Sequence, residues 1–146
     1  MSNVAPLALV SRLAPIGTRV LQFIIDVVIA GIAGGALGAI TSIGDDNGLF
    51  AVNPLANVGG VLLSALVFVG VPLLSNGQTL GMILTKIKIV DAAGNKPGVG
   101  PLLIRWVLLI VDGILFGLVG FIIMNTRPDR QRLGDILAKT YVVRAA

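Results

Sequence analysis

Three long apolar runs, separated by short polar segments, set the rhythm of this chain. The first, RVLQFIIDVVIAGIAGGALGAITSI, covers Arg19–Ile43, and the 24 residues after Arg19 carry one charge, Asp26. As a helix rising 1.5 Å per residue it is roughly 36 Å long, enough to cross a hydrocarbon core of about 30 Å with some tilt. The second run, Pro54–Leu74, is uncharged from Val58 onward and has Pro72 in its last turn. The third, Leu102–Met124, contains Arg105 and Asp112. The pattern predicts membrane helices over about 20–43 and 54–74, a third membrane element over 102–124, and a single domain spanning 1–146.

Between the second and third runs the period changes. Gly77-Gln78-Thr79-Leu80-Gly81 reads as a tight polar turn, and Thr85–Asp91 alternates polar and β-branched apolar residues, the signature of a half-buried strand. A lone strand leaves unpaired edges. The one other β-rich polar segment is Thr140–Arg144, and the two are expected to pair. Residues 4–18 are apolar but broken by Pro6 and Pro15. They are expected at the membrane interface, with Arg12 and Arg19 held at the headgroups. They do not read as a cleaved signal peptide, lacking a basic start and a small-residue cleavage site. Gly44-Asp45-Asp46-Asn47-Gly48 is expected as an outer turn.

Charge decides the topology. Three full crossings would put Arg12, Arg19, Lys86, Lys88 and Lys96 on one side and Arg127, Arg130, Arg132, Lys139 and Arg144 on the other. That balance contradicts the positive-inside tendency, and it would separate the two strands by a bilayer. Both problems vanish if 102–124 enters and returns as a re-entrant hairpin turning near Asp112-Gly113, each limb about 16 Å long. A plain third span of 23 residues is the alternative. The expected fold is thus an all-α polytopic membrane protein: two full spans and a re-entrant hairpin (or a third or fourth span), with a two-stranded β element on the cytoplasmic side.

Composition agrees: 55% of residues are apolar, 12% are charged, and the mean hydropathy is +0.97, whereas soluble domains are about a quarter charged. There is no Cys, His or Glu. That excludes thiol chemistry, histidine relays and Ser–His triads, and no cofactor, metal site or enzymatic activity is expected. The net charge of +4 reads as topology, not nucleic-acid binding, since one Trp and one Tyr leave little to stack on a base. Arg127, Arg130 and Arg132 are candidate contacts for anionic lipid, though their role as topology anchors is the simpler one.

The chemistry lies in charges placed inside apolar runs. A carboxylate there costs roughly 2.5–3.5 kcal/mol on insertion scales unless it finds a partner, a proton or a polar cavity. Arg19-x6-Asp26 recurs as Arg105-x6-Asp112. Seven residues return to nearly the same helix face but rise about 10.5 Å, too far for an ion pair within one helix. Pairing across helices is therefore expected, Arg19 with Asp112 or Arg105 with Asp26. The i,i+4 small-residue pairs Gly31/Gly35, Gly34/Gly38 and Gly60/Ser64 are candidates for close helix approach.

Three motifs carry a resemblance covering nearly the whole chain. They are Gly17-Thr18-Arg19 through Ile25-Asp26, Gly77–Gly81 through Val90-Asp91-Ala92-Ala93-Gly94, and Gln131-Arg132-Leu133-Gly134-Asp135-Ile136-Leu137-Ala138-Lys139-Thr140. Together they resemble the RDD family of small bacterial membrane proteins, named for one arginine and two aspartates. The resemblance implies that Arg19 and Asp26 are the family's Arg and first Asp, and that Asp135 is the second. It departs at Met82, where a Lys is common, and at Lys139, where a Gly is usual, which weakens any phosphate or lipid role for the turn at Gln78 and Thr79. It also implies a bacterial membrane protein, expected as multi-pass in the inner membrane with the charge count placing both termini in the cytoplasm, and transport, with sodium/proton exchange attributed to some members. Two functions follow as expectations. One is a transporter loading Na⁺ or H⁺ on Asp26, with Asp112 as a second site, in a homo-oligomer. The other is a non-catalytic scaffold or accessory subunit whose Arg/Asp pairs are structural.

Overall fold

The chain enters through one helical turn, α1 (Leu7–Val10), and continues into α2 (Ile16–Thr41). The structure, a computed structural model, describes residues 6–41, 54–113 and 117–145. The turn expected at Gly44–Gly48 and the end of the first span at 42–43 lie outside the described residues. Helix α2 is inside out by the standard of a soluble protein. Its buried residues are Arg19, Gln22 and Asp26, while Leu21, Ile24, Ile32 and Ile40 are exposed. Offsets of three and seven residues place the three polar groups on one face. Such a helix is stable where its apolar side meets lipid and its polar stripe meets protein.

The second apolar element is α3 (Pro54–Ala65), a π-helical turn over Leu66–Gly70, and α4 (Val71–Leu74). Pro72 has no N–H to donate to the turn before it, and the widened turn sits where that ladder is interrupted. Two helical stretches, Ile16–Thr41 and Asn57–Leu74, are long and apolar enough to cross a membrane. They pack where Leu37 meets Gly59, at which a Cβ would lie 2.8 Å from Leu37 Cδ2. The glycine pairs singled out from spacing do not serve this contact: a Cβ on Gly31, Gly34, Gly35, Gly38 or Gly60 would meet nothing within 4 Å among the described residues.

Helix α5 (Leu80–Thr85) starts on Thr79, whose hydroxyl accepts from Met82 N–H, and ends on Lys86 in the left-handed conformation. Strand β1 therefore begins at Ile87, not at Thr85: the Thr79 cap draws those first residues into a helix that the alternating pattern does not reveal. As expected, β1 (Ile87–Asp91) pairs antiparallel with β2 (Thr140–Arg144), with Ile89 opposite Val142. Both outer edges are covered. Ala14 N–H donates to Val142 C=O and Arg144 N–H to Arg12 C=O on one side, while Ile89 N–H donates to Gly77 C=O on the other. Residues 12–14 thus work as an edge of the sheet, not only as an interfacial segment. The core gathers Ala14, Val69, Met82, Ile87, Ile89, Leu102 and Val142, and a second cluster of Leu9, Leu13, Val90, Tyr141 and Val143 lies beside it.

The third apolar run folds as α6 (Val99–Gly113) and α7 (Leu118–Thr126), followed by α8 (Leu133–Leu137). The chain reverses between α6 and α7. Gly117, left-handed at φ 83°, donates its N–H to Asp112 C=O at 2.8 Å, and a Cβ on Gly120 would lie 3.3 Å from the Asp112 carboxyl. A straight helix would hold residues 112 and 120 about 12 Å apart. The third run is therefore two helices that meet at Asp112 and Gly120, not one continuous helix, and α7 lies against α2. α8 then packs on α6, with Gly134 against the Arg105 backbone.

Ile89 is 2% exposed at the centre of this core. Ile89→Ala is expected to cost roughly 2–5 kcal/mol, read as a lower midpoint of thermal unfolding in detergent.

Candidate functional site

Three of the four aspartates buried among the described residues, Asp26, Asp112 and Asp135, have three different environments. Asp135, at the start of α8, is fully buried between two arginines from two other helices. Arg19 of α2 donates from Nη2 to Oδ2, and Arg105 of α6 donates from Nη1 to Oδ1. The backbone N–H of Arg132 adds a bond to Oδ2 at 3.2 Å. Each guanidinium reaches further: Arg19 Nη1 donates to Arg130 C=O and Arg105 Nη1 to Thr140 Oγ1 at 2.9 Å. Gln131 Nε2 donates to Thr140 C=O at 2.8 Å. One carboxylate therefore joins α2, α6, α8 and the start of β2. This differs from the pairing expected across α2 and α6, because the counter-charge comes from a third element. Arg19 is correspondingly 5% exposed, its side chain turned into the protein.

Among the described residues, no arginine forms an ion pair with Asp26. Its oxygens are held by neutral donors: Thr79 Oγ1 to Oδ2 at 2.6 Å, Gly81 N–H to Oδ1 at 2.7 Å, and Gln22 Nε2 to Oδ2. This fastens α2 to the first turn of α5. Gly81 is required by the approach, since a Cβ there would lie 2.6 Å from Gln22 O and 2.9 Å from Asp26 Cγ. The expected turn residues thus divide: Thr79 reaches Asp26, whereas Gln78 donates to Ile87 C=O at 2.9 Å and supports β1.

Asp112 is the exception. It is 2% exposed, yet neither carboxylate oxygen has a hydrogen-bond partner among the described residues. Its nearest charge is Arg132 Nε, 3.6 Å from Oδ2, and that Nε also lies 3.8 Å from Asp135 Oδ1 without a hydrogen bond. Burial, then repulsion from Arg19, lowers the Arg132 guanidinium to about 10, against the pull of Asp112 and Asp26. It stays protonated at neutral pH. Arg19, Asp112 and Arg132 line one cavity of about 470 Å³ between α2 and the α6–α7 hairpin, walled by Phe23, Leu118, Phe121 and Met124.

A family model for the RDD family matches residues 13–139. The chain belongs to the RDD family, a family of membrane proteins. No curated protein and no solved structure matches it. The residues brought together are those that carry the family resemblance, Arg19, Asp26 and Asp135, joined by Arg105 and Asp112. Sequence reasoning missed Gln22, Gly81 and Thr140. It also took Arg132 as a surface base, although this side chain turns inward. Signals existed: Gln22 sits one turn before Asp26, and Arg132 lies three residues before Asp135. Arg130, by contrast, donates to Ala14 C=O at 3.5 Å.

Asp135→Asn should leave two buried guanidiniums undercompensated and cost roughly 3–5 kcal/mol, measured as loss of the folded fraction on thermal unfolding in detergent. Gly81→Ala should destabilise by about 1–3 kcal/mol by forcing α5 from α2. Its signature is new hydrogen exchange at the amides of 79–82.

Proposed function

We propose that this RDD protein is a membrane transporter in which Asp112, not Asp26, is the carboxylate that exchanges a proton for a cation. The observation that supports this is the contrast between the three aspartates. Asp135 and Asp26 have their oxygens engaged by donors, whereas among the described residues both oxygens of Asp112 are without them, and Asp112 lines a cavity. An acceptor with no donor in a dry site is open to a proton or a positively charged group. The charges facing it are Arg132 from the loop before α8, Arg19 from α2 and Arg105 from its own helix. They can release or hold a cation according to how closely Arg132 approaches. With so few helices per chain, an enclosed pathway requires a homo-oligomer, and the open glycine face of α2 suits such packing.

The same reading puts the protein in the bacterial inner membrane, multi-pass, with the sheet and both termini on the cytoplasmic side and Arg127 and Arg130 near anionic headgroups. It is not read as an enzyme. A scaffold role is favoured by one observation, the Asp135 junction, which needs no ligand to make sense.

Ion flux in proteoliposomes separates the two. Asp112→Asn is expected to fold and to lower flux by at least about tenfold, the scale of one lost charge-assisted contact. Unchanged flux in a folded Asp112→Asn protein would remove the carrier. The topology has its own check. Because the chain lacks Cys, Ala146→Cys should resist impermeant thiol reagents added outside intact cells, and labelling from outside would contradict the hairpin.

A further inference from the structure

We infer that the cavity beside Asp112 binds an aminophospholipid, a lipid whose head carries both a phosphate and a primary ammonium. Four observations lead there. Among the described residues, both oxygens of Asp112, itself 2% exposed, lack donors. Nε of Arg19, 5% exposed, and Nε of Arg132 lack acceptors among the same residues, and both side chains line the same cavity. The site therefore presents an acceptor pair and two donors to one ligand. Third, the surrounding charges already balance: Arg19, Arg105 and Arg132 against Asp112, which acts on all three, Asp135, which pairs with all three, and Asp26, which acts on Arg132. A neutral zwitterion preserves that balance. An anionic headgroup would leave a net charge in a low-dielectric site.

The fourth observation is the shape. A cavity of about 470 Å³ far exceeds a single ion. Its polar lining is Asp112 and Gln22 with two guanidiniums beside them, groups of both signs for one ligand. Its apolar walls run out to Ile24, Leu118 and Phe121, each 41–52% exposed, a path for acyl chains in a membrane protein. The ammonium hydrogen-bonds Asp112 and the phosphate accepts from Arg19 and Arg132. The lipid and a proton then compete for one carboxylate. The inference shares Asp112 with the transport reading but needs no flux: selectivity without flux, or flux without selectivity, tells the two apart.

The test is native mass spectrometry of the purified full chain with acyl-matched lipids. Phosphatidylethanolamine should be retained about tenfold over phosphatidylcholine, whose quaternary head donates nothing, and over phosphatidylglycerol. Retention should fall stepwise through the mono- and dimethylated heads, a series that needs no variant. Asp112→Asn should bring the three lipids to parity, and Leu118→Trp, which narrows the mouth and keeps every charge, should reduce retention of phosphatidylethanolamine. Free phosphoethanolamine should not displace the lipid at equal concentration. Equal retention, a preference for phosphatidylglycerol, a preference surviving Asp112→Asn, or displacement by the free headgroup would each overturn the assignment.

Discussion

A single carboxylate holds the charges of two helices. Asp135 is buried completely, and both its oxygens are committed to guanidiniums that arrive from α2 and α6. Burying one ion in an apolar setting costs several kcal/mol, and attraction to one partner often fails to recover it. Three features change the outcome here. Two cations share the anion, a backbone N–H adds to it, and each arginine has a further acceptor in Arg130 C=O or Thr140 Oγ1. Because those acceptors lie next to α8 and in β2, the ionic junction also fixes where the two-stranded sheet sits against the helices.

Once Asp135 takes Arg19 and Arg105, the other two acids must be satisfied otherwise. Asp26 is held by neutral donors, with Gly81 allowing the backbone close enough to give one of them. Asp112 is left with Arg132 at 3.6 Å and, among the described residues, no hydrogen bond to its carboxylate. The same chain thus contains a charged junction, a hydrogen-bonded clasp and an acceptor open to a cavity. Only the last has chemistry to offer a ligand. Arg132 connects junction and cavity, since its backbone serves Asp135 while its side chain lies between Asp135 and Asp112.

Much of the architecture was legible in the residues. The pairing of β1 with β2 followed from two-residue periodicity and from there being one other segment able to partner it. The α6–α7 reversal followed from where the bases sit, because a straight third span would have separated those strands. What was hidden was local chemistry. Thr85 and Lys86 alternate like a strand, but the Thr79 cap upstream draws Thr85 into a helix and leaves Lys86 as its left-handed end. The partners of Arg19 and Arg105 were hidden for a different reason: Asp135 sits in a polar stretch that reads as solvent-facing, and only the packing of Gly134 on α6 brings it inside. The glycines of α2 misled by spacing alone, since an i,i+4 pair permits close approach without requiring it.

The central claim is that Arg19 and Asp135 stabilise the fold through each other. A double-mutant cycle of Arg19→Gln and Asp135→Asn, read by equilibrium unfolding in detergent, addresses it directly. The account predicts a coupling free energy of roughly 2–3 kcal/mol, the upper range for groups sharing one buried network. Additivity within about 0.5 kcal/mol, as for independent sites, would contradict it.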